Sequence, residues 1–333
     1  NPHAQYQLAR MIFNDPSSTP EQTAQALERL TKAAEAGQDC AQYALGKIYR
    51  DGQGVEKDIQ KAVALFTLAA TKENSFAAFA LGKLYLAGDA ALPRDPAAAL
   101  KWLTYAAELG NQFAQYRLGK LLLKGDDGIP KDVITAIRWL TAAAKQENGY
   151  AEYALALVYL TGEDAPKDSV KALSLLKRSA GRGNQFAQYR LGKLLLQGED
   201  APKDVKAAIR WLTAAAEQGN QYAQYALGKL YLLGKEVPKD RSSAIKWFQL
   251  ATDQGNEYAQ YFLEHMDDRL GQPPVAAVIS LFHHLANIFQ EQNQPPPSGG
   301  VRVAVDRKLL RKIKAKKIAQ GHKADDHEPE MQL

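Results

Sequence analysis

The sequence repeats itself with a period of 36 or 37 residues over most of its length. The repeated pattern is an alanine, an aromatic residue two positions later and a leucine two positions after that. It starts at Ala4, Ala41, Ala77, Ala114, Ala151, Ala187, Ala223 and Ala259. Residues 111–123 and 184–196 are identical. A fixed period of this length is the signature of repeat architectures, in which each unit is one supersecondary element.

Each unit is expected to contain two helices, as the copy at residues 219–254 illustrates. Gly219 favours a helix end because it tolerates left-handed backbone, and Asn220 is placed to cap the next helix. That first helix carries one apolar stripe, formed by Ala223, Leu227, Leu230 and Tyr231. The spacing of these residues is that of one face of an α-helix. Gly228 lies within the stripe and predicts a close approach of the second helix.

The second helix of each unit is predicted to begin at an aspartate that caps it and meets its positive end. These aspartates are Asp58, Asp95, Asp132, Asp168, Asp204 and Asp240. Core positions follow four, seven, eight, eleven and twelve residues later. All four tryptophans fall seven residues after such an aspartate. One helix pair cannot bury its own stripe, whereas stacked neighbours can, so the pattern predicts an all-α solenoid of about eight units.

Composition narrows the functional classes. Cys40 is the single cysteine, which excludes an intrachain disulfide and agrees with the reducing cytoplasm. No apolar run approaches the roughly 18 residues of a membrane span, so no membrane partner is expected. Nine Lys and Arg residues lie between positions 301 and 323, leaving 33 basic and 32 acidic groups in residues 1–300. The positive charge therefore belongs to a tail and not to the repeats.

The repeated letters resemble the Sel-like repeat (SLR) family, which is related to the tetratricopeptide repeats. The copy at 220–256 carries the resemblance through Ala223, Leu227-Gly228, Tyr231, Gly234, Pro238, Asp240, Ala244, Trp247 and Gly255-Asn256. The similarity extends over about residues 1–270. It implies a helical solenoid that acts as an adaptor or scaffold for other proteins, without catalysis or a cofactor.

The ends of the chain depart from the pattern. We expect residues 1–270 to form the solenoid, residues 271–294 to form a divergent capping helix, and residues 295–333 to form a Pro/Gly linker with a basic, partly helical or disordered tail. Asn1 matches the position of a helix cap inside a repeat, which suggests that the protein extends further upstream. The oligomeric state is left open by the sequence.

Two rows of side chains on the first helices are the candidate partner-binding residues. The aromatic row is Tyr43, Phe79, Tyr116, Tyr153, Tyr189, Tyr225 and Tyr261. The lysine row is Lys47, Lys83, Lys120, Lys193 and Lys229, four residues further along and therefore on roughly the same side. On the inner face of a solenoid they predict a groove for an acidic or C-terminal peptide segment. In the other interpretation, the aromatic residues pack between repeats and the lysines are ordinary solvated charges.

Two details qualify the rows. Leu157 interrupts the lysine row. Arg117 and Arg190 replace an alanine that is found in other copies, and both lie in the two near-identical copies. A recent duplication accounts for these arginines without selection for binding.

The tail is a candidate nucleic-acid contact through Arg307, Lys308, Arg311, Lys312, Lys316 and Lys317. Such a segment contacts phosphates without sequence specificity, but it equally suits an acidic protein or a solubilising end. Residues 305–310 and 321–328 also resemble the C-terminus of some repeat-bearing relaxases of bacterial mobile elements. That resemblance implies an alternative function, in which this chain is the C-terminal accessory region of a DNA-mobilisation protein.

The sequence supports neither catalysis nor metal binding. It contains no Gly-rich phosphate loop, zinc-ligand spacing or nucleophile motif. The tail residues His322, Asp325, Asp326 and His327 have metal-ligand chemistry, but no predicted rigid element holds them. We therefore predict a cytoplasmic, non-enzymatic scaffold without a cofactor.

Overall fold

The computed structural model describes residues 2–264, apart from residues 16, 126 and 127, and also residue 266. Within these residues the chain forms fifteen helices and no strand. The first helices of the successive units are α1 Pro2–Asn14, α3 Asp39–Asp51, α5 Ser75–Ala87, α7 Gln112–Lys124, α9 Gly149–Thr161, α11 Gln185–Gln197, α13 Gln221–Leu233 and α15 Glu257–Glu264. The second helices are α2 Pro20–Glu35, α4 Ile59–Ala70, α6 Pro96–Glu108, α8 Val133–Lys145, α10 Ser169–Gly181, α12 Val205–Glu217 and α14 Arg241–Asp253.

Most of the described helices begin where the sequence places a capping side chain. The Asn220 side chain accepts a hydrogen bond from the backbone N–H of Ala223 at 3.0 Å, and Asp240 accepts one from Ser243 at 3.0 Å. The same caps recur at Asn74, Asn111, Asn148, Asn184 and Asn256 and at Asp58, Asp95, Asp132, Asp168 and Asp204. These predictions are confirmed; the predicted cap at Asn1 lies outside the described residues.

A glycine in the first helix brings the two helices of a unit close together. A Cβ atom added to Gly228 would lie 2.6 Å from the ring of Phe248 on α14, which is closer than carbon atoms pack. The backbone N–H of Asp240 also donates to the carbonyl of Tyr231 at 3.1 Å, which joins the start of α14 to the end of α13. The predicted close approach is confirmed.

The core extends from unit to unit, as expected of an α-solenoid. One cluster of buried apolar residues extends from Ala62 on α4 to Ala136 on α8, and the next extends from Leu140 to Ala208. Each unit therefore depends on its neighbours to bury its apolar surface.

One part of the core prediction is wrong. The tryptophans, predicted to be core residues, are only half-buried: Trp102, Trp139, Trp211 and Trp247. Position seven of the second helix lies at the edge of the buried stripe, where a large indole ring is covered on one side. Arg138 lies over the Trp139 ring at 5.1 Å and Arg210 lies over the Trp211 ring at 5.2 Å.

Buried glutamines join the second helix of one unit to the first helix of the next. The side-chain N–H of Gln115 donates to the carbonyl of Ala107 at 3.0 Å, and Gln115 accepts a hydrogen bond from Gln146 at 2.9 Å. Equivalent donations to a carbonyl are made by Gln42, Gln188 and Gln224. Because a buried amide without partners is costly, these bonds favour one register between neighbouring units.

The connections between first and second helices are linked by ion pairs from one unit to the next. The pairs are Lys57–Asp89, Lys131–Asp164, Lys167–Asp200 and Lys203–Glu236, with N–O distances between 2.6 and 2.9 Å. They lie near the surface, so each contributes at most about 1 kcal/mol.

The fifteen helices lie in one compact unit, Asn1–Asp267. Helix α15 is the first helix of the eighth copy of the pattern. The predicted capping helix at 271–294 and the tail at 295–333 lie outside the described residues, so the predicted boundary at residue 270 stays a prediction.

Candidate partner-binding surface

Side chains at positions two, five, six and nine of each first helix share one side of that helix, because viewed down the helix axis they lie within about one third of its circumference. We call this surface the first-helix face. The predicted partner-binding residues belong to it: Tyr116, Tyr153, Tyr189 and Tyr225 are at position five, and Lys120, Lys193 and Lys229 are at position nine.

The position-five aromatic residues contact an aromatic residue of the next first helix. Tyr189 and Tyr222 are typical, with ring centroids 6.0 Å apart. The other contacts, at 5.9 to 6.5 Å, are Tyr43–Phe76, Phe79–Phe113, Tyr116–Tyr150, Tyr153–Phe186 and Tyr225–Tyr258. Tilted pairs at these distances are favourable. The rings thus contribute to packing between repeats, and they also form a continuous aromatic band along the first-helix face.

Burial raises the pKa of three phenols of this band. It raises the pKa of Tyr153 and of Tyr189, although the positive charge of Arg190 opposes the rise in both. Burial also raises the pKa of Tyr225, and the neighbouring phenols of Tyr258 and Tyr189 add to that effect. Each tyrosine therefore keeps a hydroxyl that donates as well as accepts hydrogen bonds.

The sequence reasoning missed the partners in these ring contacts, the aromatic residues at position two. They are the more exposed half of the band: Tyr222 is 49% exposed and Phe186 is 41% exposed. A signal for them was present, because an aromatic residue directly precedes the repeated alanine at Phe76, Phe113, Tyr150, Phe186, Tyr222 and Tyr258. Exposed aromatic rings in a row supply contact area for a partner.

The lysines of the first-helix face lie beside the band. The Lys47 ammonium is 5.9 Å from the centre of the Tyr43 ring, and the Lys83 ammonium is 5.8 Å from that of Phe79. Both distances are within the range of a cation–π interaction.

The lysines of the later repeats act on each other electrostatically. Partial burial lowers the pKa of Lys229, and the positive charges of Lys193 and Lys235 lower it further. Lys193 is exposed overall, but the protein around its stem removes enough hydration to lower its pKa, and Arg190 adds to the effect. Like charges that influence each other across one repeat create a positive surface that favours anionic groups.

Other features bear on function. No group of three or more His, Cys, Asp or Glu side chains in the described part of the chain is arranged to hold a metal ion. None of the described helices is long and apolar enough to cross a membrane. The tail residues predicted to contact nucleic acid, Arg307, Lys308, Arg311, Lys312, Lys316 and Lys317, lie outside the described residues.

Comparison with known families assigns the repeats. The family model for the Sel1 repeat matches seven segments, at residues 2–38, 41–74, 75–111, 112–148, 149–184, 185–220 and 221–256. Each matched segment holds one pair of helices. The comparison with curated protein sequences gives no match.

Solved structures show the same architecture. The chain is similar to c5321, a protective antigen present in uropathogenic Escherichia coli strains that displays an SLR fold, with 28% identity and a TM-score of 0.70. That match covers 91% of this chain but only 66% of c5321, just under two thirds of its length. A Sel1 repeat protein from Oxalobacter formigenes is 26% identical with a TM-score of 0.65, over 75% of this chain and 96% of that one.

Proposed function

This chain belongs to the Sel1 repeat family, and we propose that it is a non-enzymatic scaffold that binds a peptide or protein surface along its first-helix face. Proteins built from these repeats are typically protein–protein interaction scaffolds. We place the scaffold in the cytoplasm because its single cysteine suits a reducing compartment.

The observation that carries the proposal is the combination of exposed aromatic rings and lysines on one face of consecutive repeats. Tyr222 and Phe186 expose a large part of their rings, and Lys193 and Lys229 lie beside them on the same two helices. Aromatic rings offer contact area at low entropic cost, and lysines add charge-assisted hydrogen bonds to acidic groups. The repetition of both over several units suits a partner that extends across repeats.

A charge-reversal experiment tests this proposal. Lys120, Lys193 and Lys229 are changed together to Glu in the full chain, which is then used as bait in a pull-down. Capture of the partners that bind the unchanged chain should be lost, while circular dichroism shows the same helical content, because these side chains lie outside the core.

The matched control reverses three exposed lysines of second helices, Lys101, Lys177 and Lys206. It makes the same change in net charge on side chains outside the first-helix face. Capture that survives in the control and is lost in the first variant supports the proposal. Unchanged capture in both variants contradicts it.

The alternative function, as an accessory region of a DNA-mobilisation protein, stays a prediction that depends on the tail. It would assign partner recruitment to the repeats and DNA contact to residues 301–323. A relaxase domain encoded upstream of Asn1 would support it.

A further inference from the structure

Two of the repeats present the same chemistry, and they are separated by one repeat that differs. Helices α7 and α11 begin within identical segments, residues 111–123 and 184–196. On each of them the first-helix face carries Phe, Tyr, Arg and Lys at positions two, five, six and nine. The corresponding arginines are Arg117 and Arg190.

On α11 the structure shows how these cations are arranged. Arg190 is half-buried, its Nε is shielded from water, and this nitrogen makes no hydrogen bond within the described residues. Its positive charge acts on Lys193, one turn further along the same face. Two neighbouring cations that are partly desolvated favour an anionic ligand over water.

The nearby acidic groups offset these cations only in part. Asp200 lies within reach of the Arg190 charge, but its carboxylate is held by Lys167 at 2.8 Å and by the hydroxyl of Ser169 at 2.7 Å. Glu199 acts on Lys193 and opposes the effect of Arg190. The first-helix face therefore keeps a net positive charge on α11. We call such a pair of an arginine and a lysine on one first helix a cationic step.

The repeat in between contributes no cation to the first-helix face. Helix α9 has Ala154 at position six and Leu157 at position nine, both half-buried, next to Tyr153. Its one acidic residue, Glu152, is completely buried on the other side of the helix and is paired with Arg178. The surface thus reads cationic, apolar, cationic over α7, α9 and α11.

We propose that the first-helix face binds an extended acidic peptide segment. This segment carries two acidic groups, one on each side of an apolar residue. This proposal rests on the proposed function and names the class of partner. The acidic groups pair with Arg117 and Lys120 on α7 and with Arg190 and Lys193 on α11. The apolar side chain between them lies against Tyr153 and Leu157.

The spacing of the two acidic groups follows from the packing of the helices. Neighbouring first helices are in contact through their rings, so each step along the face, from one first helix to the next, measures about 10 Å. Two steps measure about 20 Å, and an extended chain that rises roughly 3.3 Å per residue crosses that distance in about six residues. The duplication explains how the two cationic steps arose, and their separation determines which ligand fits both.

Single-stranded nucleic acid is the other polyanion that the test must consider. Its phosphates are evenly spaced and favour a continuous row of cations. Leu157 and Ala154 interrupt the row on α9, so the arrangement favours a peptide with a gap between its charges.

The test measures binding of labelled peptides to the full chain by fluorescence anisotropy. Each peptide carries two Asp-Glu pairs around a central leucine, with the pairs about three, six or ten residues apart. A peptide with one pair is the reference. The six-residue spacing should bind about tenfold more tightly than the three-residue spacing, which is too short to reach both cationic steps, and more tightly than the ten-residue spacing, which reaches both only with a slack loop.

Two double variants remove one cationic step each: Arg117→Ala with Lys120→Ala, and Arg190→Ala with Lys193→Ala. Alanine is the residue of other repeats at position six, so both variants should fold. Each should lower the affinity for the six-residue peptide to about that of the one-pair peptide, a loss of about tenfold. The control Lys101→Ala with Lys177→Ala removes two exposed lysines of second helices, outside the first-helix face, and should change the affinity less than about twofold.

A further variant, Leu157→Lys, fills the gap with the residue that other repeats carry at position nine. A peptide made of acidic residues throughout, without the central leucine, is the comparison for this variant. The variant should bind that peptide as tightly as the six-residue peptide, whereas the unchanged chain should prefer the six-residue peptide. Equal binding of all three spacings to the unchanged chain overturns the proposal, as does equal loss in the control. Binding of no peptide, or tighter binding of single-stranded DNA that the same double variants abolish, also overturns it.

These outcomes are distinct from failure of the proposed function. If spacing has no effect but the charge-reversed chain still loses its captured partners in the pull-down, the face is a binding surface for another class of ligand. If the charge-reversed chain keeps its partners, the proposed function itself fails.

Discussion

The guanidinium of Arg178 lies 2.6 Å from the carboxylate of Glu152, which is completely buried. Arg182 approaches the second carboxylate oxygen at 3.3 Å. In the preceding unit the places of Glu152 and Arg182 are occupied by Gln115 and Gln146, which form an amide pair at 2.9 Å. One interface of the array therefore uses a charge pair where its neighbours use neutral hydrogen bonds.

Removing both arginines should destabilise the chain strongly. In the variant Arg178→Ala with Arg182→Ala, the Glu152 carboxylate stays buried without a partner, which costs about 3 kcal/mol. The measurement is urea denaturation followed by circular dichroism. Adding Glu152→Gln should restore most of the loss, because a neutral amide is accepted at this position in the other units. A triple variant as unstable as the double variant would contradict this account.

Replacing Glu73 by glycine should stabilise the chain. Glu73 has a φ of 62°, in the left-handed region, where its equivalent in the 219–254 unit is a glycine, Gly219, with a φ of 88°. Left-handed backbone costs a residue with a side chain about 1 kcal/mol, so Glu73→Gly should gain up to about that amount, reduced by the greater freedom of glycine in the unfolded chain. Thermal denaturation should show a higher midpoint.

The opposite change provides the control. No atom lies within 4 Å of a Cβ atom added to Gly219, so Gly219→Ala introduces backbone strain without a clash. It should lower the midpoint by a similar amount. If both variants melt at the same temperature as the unchanged chain, strain at these helix ends does not contribute to stability.

The period and the caps made most of the fold predictable. The side chains that end and begin helices, such as Asn220 and Asp240, act locally, so their effect can be read from the sequence alone. The Tyr189–Tyr222 contact was harder to foresee, because it depends on how one repeat is placed against the next. The half-burial of Trp211 likewise depends on the angle between helices. Sequence spacing predicts which side of a helix a residue occupies but not how much of it a neighbour covers.

Acidification should weaken the caps of the second helices. The hydrogen bond from the backbone N–H of Thr135 lowers the pKa of Asp132, and hydrogen bonds from Ser243 lower that of Asp240. A lowered folded-state pKa means that the stabilising effect is complete above the ordinary pKa of about 4 and is lost as the pH falls through the folded-state value. The midpoint of thermal unfolding should therefore decrease once the pH is lowered below about 4.

A pair of asparagine substitutions isolates this effect. Asn also caps helices but does not titrate, so Asp132→Asn with Asp240→Asn should show a shallower fall of the midpoint with pH. An identical pH dependence in the variant and the unchanged chain would show that other carboxylates determine the acid sensitivity.

Deleting residues 301–333 tests the predicted nucleic-acid contact. If Arg307, Lys308 and their basic neighbours contact phosphates, the full chain should bind DNA with an affinity that falls steeply as salt rises, and the shortened chain should not. Electrophoretic mobility shifts at several salt concentrations measure both. Equal DNA binding by the two chains would assign the contact elsewhere, and no binding by either would remove the prediction.

The substitution Gly228→Ala should destabilise the chain even though alanine is the better helix former. Alanine gains about 1 kcal/mol in helix propensity. Its methyl group, however, would lie 2.6 Å from the ring of Phe248, and that ring is completely buried and stacked on Phe262 at 5.3 Å. Overpacking against a ring that has no space to move costs about 1 to 3 kcal/mol, so a net loss of about 1 kcal/mol is expected.

The fifth unit supplies the comparison for this prediction. There Ala156 occupies the place of the glycine, is completely buried, and lies in a unit whose equivalent of Phe248 is Leu176. A leucine can change rotamer to admit a methyl group, whereas a stacked phenylalanine ring cannot. Gly228→Ala should therefore lower the urea midpoint, and adding Phe248→Leu should make the alanine less harmful than it is in the presence of the phenylalanine. If Gly228→Ala costs the same with either residue at position 248, the ring is not what requires glycine at this crossing.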